Sequence, residues 1–228
     1  MTRVVGLVQA RMGSSRLPNK MLLPLNGYPI IEWIYRRLSR CKRLDELVFA
    51  IPDNSTDDVL ADYLRGLGAN LFRGSEGDVL GRFFAAAKAY QASHVVRICA
   101  DNPLICPVET DRLVDFFLEQ ESCDYAYNNI PRNNRYPDGF GAEILSFDLL
   151  EKIAGGATAP KQREHAFDYI WDHRQNYQIA TFDPPEPRLC HPEIQLDVDT
   201  MEDYRRMQAS GVQITMSALE CLELFIKP

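Results

Sequence analysis

The chain has 228 residues, 46% of them apolar and 25% charged, with a net charge of −7. This suits one folded α/β unit, and the acidic balance argues against a nucleic-acid groove as the main working surface. No run is apolar and long enough to be expected to span a bilayer, and the short apolar start after Arg3 is not expected to be a secretory leader.

Strand-like and helix-like patterns alternate through the first half. Val4–Val8 is an apolar run that reads as a buried strand. The loop that follows, residues 10–20 (ARMGSSRLPNK), packs Arg11, Arg16 and Lys20 around Gly13, Ser14 and Ser15. Small residues let backbone amides approach phosphate oxygens, guanidinium forks grip them in pairs, and a Lys adds a point charge. The loop therefore points to a nucleoside triphosphate. Residues 1–44 carry nine Lys or Arg against one acid, Glu32. The run from Arg36 to Arg43 is read as the wet face and end of a helix, which leaves the loop cations for a ligand.

Pro29 opens a helix with Ile30, Ile31, Ile34 and Leu38 inward. Leu47–Ile51 is the next strand, and the turn at Pro52–Thr56 caps a helix with Val59, Leu60, Tyr63, Leu64 and Leu67 inward, stopped by Gly66 and Gly68. Asn70–Arg73 reads as a short strand. Residues 74–78 (GSEGD) lead into a helix packed through Val79, Leu80, Phe83, Phe84 and Ala87. His94–Cys99 is a strand, and Pro107 starts a helix running to about Gln120. Such alternation predicts a mostly parallel sheet covered on both faces, with ligands at the edge where the strands end. After Asp124 the pattern loosens. Residues 128–141 are polar and turn-rich, Phe140–Phe147 reads as a strand, Gln162–Arg174 as a helix, Tyr177–Phe182 as a strand and Thr215–Pro228 as a terminal helix. Without repeats or a clear linker, residues 1–228 are expected to form one domain. Its parts are a nucleotide-binding half (1–123), an acceptor and dimerisation half (124–211) and a tail (212–228).

Two carboxylate sites stand out. Asp101 directly follows the strand ending at Cys99, where a side chain faces the ligand edge. Asp197 and Asp199 lie two apart, facing one way in an extended chain, while Thr200 and Asp203 are expected to cap a helix. Asp101 with one of the pair could hold Mg²⁺ beside phosphate oxygens. The six cysteines form no CxxC pair and no metal spacing with His, so reduced thiols in a cytosol are the default expectation.

The ordered set ARMGSSRLPNK, ADNPL and LDVDTMED resembles the cytidylyltransferases that activate acylneuraminate and 3-deoxy-manno-octulosonate. The phrases FRGSEGDVLGRF, YPDGFGAEILSF and REHAFDYIW are similar to its spore-coat polysaccharide branch. The resemblance covers the chain to about residue 211. It implies a Rossmann-like nucleotide-diphospho-sugar transferase fold and transfer of CMP from CTP to a sugar or sugar acid, with release of pyrophosphate. It also implies Mg²⁺, with Mn²⁺ able to substitute, and a cytoplasmic homodimer. Carried over by motif, Arg11, Arg16, Lys20 and Asp101 act in catalysis. Ala10, Arg11, Gly13, Ser14, Ser15, Arg16, Lys20, Gly74, Ser75, Asp78 and Arg97 bind the nucleotide. Asp101, Asp199 and Asp197 serve the metal, and Asp138, Gly139, Glu164 and His165 line the acceptor site. An acidic acceptor would need a cation, for which Arg132, Arg135, Lys161, Arg163 and Arg188 are candidates. Two other readings stand beside this one: a nucleotide or nucleotide-sugar binding module without turnover, and a glycosyltransferase on the same type of sheet.

Overall fold

The computed structural model describes residues 2–226. Strand β1 (Val4–Gln9) is buried through Val8. Beyond the loop at 10–19 come one turn of 3₁₀ helix (Lys20–Leu22) and a small hairpin of β2 (Pro24–Leu25) and β3 (Tyr28–Pro29). Helix α1 (Ile30–Leu38) buries the expected stripe of Ile30, Ile31, Ile34 and Leu38. Strand β4 (Glu46–Pro52) leads into α2 (Asp58–Gly66), preceded by a 3₁₀ turn in which Asn54 accepts the Asp57 amide. Leu60, Ala61 and Leu64 form the buried stripe of α2. Val59 is 52% exposed rather than inward, since neighbouring positions on a helix are turned about 100° apart.

Strand β5 (Asn70–Gly74), helix α3 (Val79–Ala89), strand β6 (His94–Cys99) and helix α4 (Pro107–Glu119) follow the expected order. The second half holds β7 (Tyr125–Tyr127), β8 (Glu143–Ser146), α5 (Phe147–Gly156), α6 (Pro160–Glu164), α7 (Asp168–Asp172), β9 (Ile179–Ala180), α8 (Met201–Ala209) and α9 (Ala218–Glu223). Three expectations change here. The strand read through Phe147 ends at Ser146, whose hydroxyl caps an unforeseen helix, α5. The helix read over Gln162–Arg174 is two short helices. It breaks because Phe167 drops into the core edge-on to Phe83 and Tyr125. The terminal helix is confined to α9, and Lys227 and Pro228 lie outside the described residues.

The sheet order is β5-β4-β1-β6-β8-β7-β9. Strands β4, β1 and β6 are parallel, β8 runs against both β6 and β7, and β7 pairs parallel with β9. The sheet is thus mostly parallel, and the carboxyl ends of β1, β4, β5, β6 and β7 share one edge. One core, under α1, α2, α4 and α8, centres on Trp33 and Phe49; the other, under α3, α5 and α7, centres on Phe83 and Tyr125. Buried Arg37 of α1 donates to the carbonyls of Ile105 (2.8 Å) and Met216 (3.1 Å). These bonds staple the loop after β6 and the C-terminal segment to α1.

Candidate active site

The loop after β1 is fixed by its own backbone. The Met12 amide donates to the buried Asp57 carboxylate (2.7 Å), the Ser14 amide to the Met12 carbonyl (2.9 Å), and the Leu17 amide to the Ser14 hydroxyl (3.2 Å). Met12 and Leu17 anchor it in the core, leaving Arg11, Gly13, Ser15 and Arg16 exposed. Asn19, at a φ of 58°, then turns the chain so that Lys20 enters the 3₁₀ turn. Lys20 is no loop-surface residue: only 8% of it is exposed. Its Nζ meets Asp199 Oδ1 at 3.0 Å, and Arg16 Nη2 meets Asp199 Oδ2 at 2.8 Å.

These groups line a cavity of about 440 Å³ at the carboxyl ends of β1 and β6. Gln9, Ala10 and the loop from Arg11 to Arg16 form one wall. Arg97, Cys99 and Asp101 form the other, and His165 and Asp199 close it. A larger cavity, about 740 Å³, runs along the outer face of α4 between Arg40 and Phe182 and contains none of the expected site residues.

Backbone pairing explains why Asp101 and the 197–199 segment meet. The Val198 amide donates to the Asp101 carbonyl (2.8 Å), the Leu196 amide to the Asp138 carbonyl (3.0 Å), and the Asp138 amide to the Ile194 carbonyl (3.0 Å). Residues 194–199 are therefore laid between the Asp101 and Asp138 loops. Gly139 is required at that crossing: its φ is +96° and a Cβ would stand 3.1 Å from the Asp197 amide. Four carboxylates now share a low-dielectric corner. Burial raises the proton affinity of Asp101, Lys20 opposing and Asp199 reinforcing it. Burial and the charges of Asp197, Asp101 and Asp199 push Asp138 up to about 6. Asp197 is raised by burial and by Asp101 and Asp199. Asp203 is used elsewhere, in a capping box with Thr200.

Carboxylate oxygens under mutual repulsion are the donors that a hard divalent cation prefers. Such an ion commonly takes one or two carboxylates and completes its shell with phosphates and water. Among the described residues no three His, Cys, Asp or Glu side chains stand together as a ready metal centre. The fit is to an ion that arrives with phosphate oxygens. His165 is not aligned with Asp168, Asp172 and His173 on one helical face, because the helix is broken between α6 and α7.

The pH dependence has a definite sign. The Asp138 pKa, about 6 in the fold, exceeds its unfolded value of about 3.9. The stability that its proton confers is complete below about pH 4 and lost as pH rises through 6. Without metal, the wild type is expected to gain thermal stability relative to Asp138→Asn as pH falls from 7 to 5. An identical pH dependence of the two unfolding temperatures would contradict the shared-charge corner.

Other expected residues are placed as follows. Arg97 is ion-paired with buried Glu143, which also accepts the Tyr125 hydroxyl, and it donates to Gln9 Oε1 (3.3 Å). Sequence reading missed Glu143 and Gln9; a charged Arg on a buried strand needs a counter-ion, and Glu143 is the one acid of its strand. Gly74, Ser75 and Asp78 do not line the cavity, although the side chain of Glu76 from the same loop reaches the space beside Gly13. Asp78 caps α3 through the Gly81 amide (2.8 Å) and pairs with Arg163. His165 lines the cavity, whereas Glu164 is exposed outside it. None of the five candidate acceptor cations lines it either. Arg132 lies over Trp171, Lys161 pairs with Asp168 and Arg188 with Glu186, and Arg135 is exposed. The Cys99 thiol in the cavity wall is pushed up to about 12 by burial, so it stays neutral and is no nucleophile.

A family model described as cytidylyltransferase matches residues 5–225. The spore coat polysaccharide biosynthesis protein SpsF of Bacillus subtilis (strain 168) is 33% identical over 233 residues, 98% of this chain and 94% of its own. An 8-amino-3,8-dideoxy-manno-octulosonate cytidylyltransferase of Shewanella sediminis (strain HAW-EB3) is 29% identical over 167 residues, 71% of this chain and 59% of its own. A solved cytidylyltransferase structure from Leptospira borgpetersenii serovar Hardjo-bovis (strain JB197) superposes with a TM-score of 0.89. Its sequence is 30% identical, and the match covers 99% of this chain and 94% of that one.

Proposed function

We infer that the protein transfers CMP from CTP to a sugar or sugar acid, releasing pyrophosphate, because the chain belongs to the cytidylyltransferase family. The observation that carries the reading is the convergence of Arg16 and Lys20 on Asp199, beside Asp101, in one cavity at the strand ends. Arg11, Arg16 and Lys20 hold the triphosphate, against the backbone of Ala10, Gly13 and Ser14 and the Ser15 hydroxyl. In the free protein Asp199 pairs with two of these cations, so the triphosphate competes with a carboxylate for them. The nucleoside extends from this loop towards Gly74, Ser75 and Asp78, with Arg97 bordering it from β6.

Asp101 and Asp199, with Asp197 nearby, would hold Mg²⁺, or Mn²⁺ in its place. Bound there, the ion would neutralise charge on the departing pyrophosphate. The cations fix the α-phosphate for in-line attack by an acceptor hydroxyl, and no covalent enzyme intermediate is needed. The acceptor lies on the side of Asp138, Gly139 and His165, with Glu164 at its rim. The name of the Shewanella relative supports a sugar acid, and that of the Bacillus relative supports a polysaccharide precursor pathway. The same reading takes residues 1–228 as one nucleotidyltransferase domain working as a cytoplasmic homodimer. The six cysteines, all free, suit a reducing compartment, and no helix among the described residues is long and apolar enough to cross a membrane.

The test is pyrophosphate release with CTP, Mg²⁺ and a panel of sugar acids and deoxy sugars, together with calorimetry of CTP, UTP, ATP and GTP. CTP is expected to bind most tightly. EDTA is expected to abolish turnover, and zinc not to restore it. Preference for UTP or GTP, or full activity in chelator, would contradict the reading.

A further inference from the structure

Helix α6 is held in an unusual way. It spans only Pro160–Glu164 and buries none of its residues, so neither its own hydrogen bonds nor apolar packing can fix it. Its exposed ties, Lys161 to Asp168 and Gln162 to Asp172, are of the kind that contributes little in water. Arg163 is different. Its side chain is partly buried, and it joins three helices: Nη1 donates to the Ala154 carbonyl of α5 (2.7 Å), and Nη2 pairs with Asp78 at the start of α3. Burial disfavours the Asp78 carboxylate, but the guanidinium and the Gly81 amide overcome this and hold it below the usual range.

The junction is built for this contact. A Cβ at residue 81 would lie 2.3 Å from Asp78 Oδ2 and 2.9 Å from Arg163 Nη2. Glycine leaves the pair its present geometry, whereas a larger residue would require the ends of these two side chains to shift. Two residues beyond Arg163 the chain leaves helical geometry at His165 (φ −105°, ψ 94°), and two residues further Phe167 is buried. His165 is thus slung between two anchors, Arg163 and Phe167, and is presented to the cavity that Arg11, Arg16 and Asp101 line.

We propose that Arg163 is a positioning residue: by pinning α6 to Asp78 at the start of α3, it sets His165 against the nucleotide cavity. This rests on reading that cavity as the CTP site. The pair also ties the loop at the nucleoside end to the segment at the acceptor end.

The test uses Mn²⁺ with CTP as a paramagnetic probe, at concentrations that saturate each variant, and reads the imidazole resonances of the four histidines. His165→Asn assigns the relevant signal. In the wild type the His165 signal should broaden more than those of His94, His173 and His191, none of which lines the cavity. In Arg163→Met and in Asp78→Ser this extra broadening should disappear, and Arg163→Lys should restore part of it. Serine caps a helix about as well as aspartate, so Asp78→Ser removes the ion pair without removing the start of α3 and remains informative if Arg163→Met folds poorly. Undiminished broadening of His165 in Asp78→Ser and Arg163→Met would overturn the assignment alone. Failure of the wild type to bind CTP by calorimetry would instead overturn the nucleotide reading, and this assignment with it.

Discussion

Asp101→Asn is expected to lower turnover by roughly 10²–10³ or more, the usual penalty for losing a group that stabilises developing charge, while leaving the fold intact. The backbone carbonyl of Asp101 that accepts the Val198 amide is untouched by the change. The side chain keeps its shape and loses one charge from a corner where Asp199 already opposes its ionisation. Removing that charge relieves repulsion, so the metal-free variant should unfold at or above the wild-type temperature even as turnover collapses. Asp199→Asn should behave similarly in rate. Metal affinity should fall in both; metal-free nucleotide binding should barely change in Asp101→Asn and should tighten in Asp199→Asn, where Arg16 and Lys20 lose the competing carboxylate. A role for Asp101 as a simple turn cap makes the opposite forecast, because asparagine caps as well as aspartate. A silent Asp101→Asn, by steady-state pyrophosphate release, would therefore remove Asp101 from the chemistry.

Lys20→Ala is expected to weaken CTP binding by one to two decades, since a hydrogen bond to a charged group is worth about 1.5–3 kcal/mol. Arg16→Ala should cost less. The two side chains meet the same carboxylate, but that of Lys20 is 10% exposed and that of Arg16 is 66% exposed. Water and salt screen the exposed partner more strongly. The difference should widen at high ionic strength, where the Arg16 contribution fades first. Calorimetry at two salt concentrations measures both effects. Equal losses in the two variants, or unchanged affinity in Lys20→Ala, would count against a phosphate cradle built around Lys20.

What could be read from the sequence divides along physical lines. Elements with long apolar periodicity were legible: β1, α1, β4, β6 and α4 stand where the patterns put them. The place of the first loop in the cavity wall was legible too, because its cations and small residues follow one another directly after β1. The meeting of Asp101 with Asp199 was also anticipated, but its cause was not visible. It depends on the Val198 amide finding the Asp101 carbonyl, a backbone contact with no sequence signature. The second half resisted reading because its elements are short and fixed by tertiary contacts. The break between α6 and α7 comes from Phe167 entering the core, and α5 from the Ser146 cap. The anchoring of Asp78 was hidden for a related reason: its carboxylate accepts the Gly81 amide and pairs with Arg163, 85 positions away in the chain. Buried Glu143 was missed because its need appears only once Arg97 is known to be enclosed.

The most direct measurement is a crystal structure of the protein with CTP and Mg²⁺. The triphosphate should lie in the cavity between the loop after β1 and the end of β6, against Arg11, Arg16 and Lys20, with one ion touching both Asp101 and Asp199. A nucleotide bound elsewhere, such as in the larger cavity along α4, would contradict the central claim. So would Asp101 and Asp199 standing too far apart to share one ion beside the phosphates.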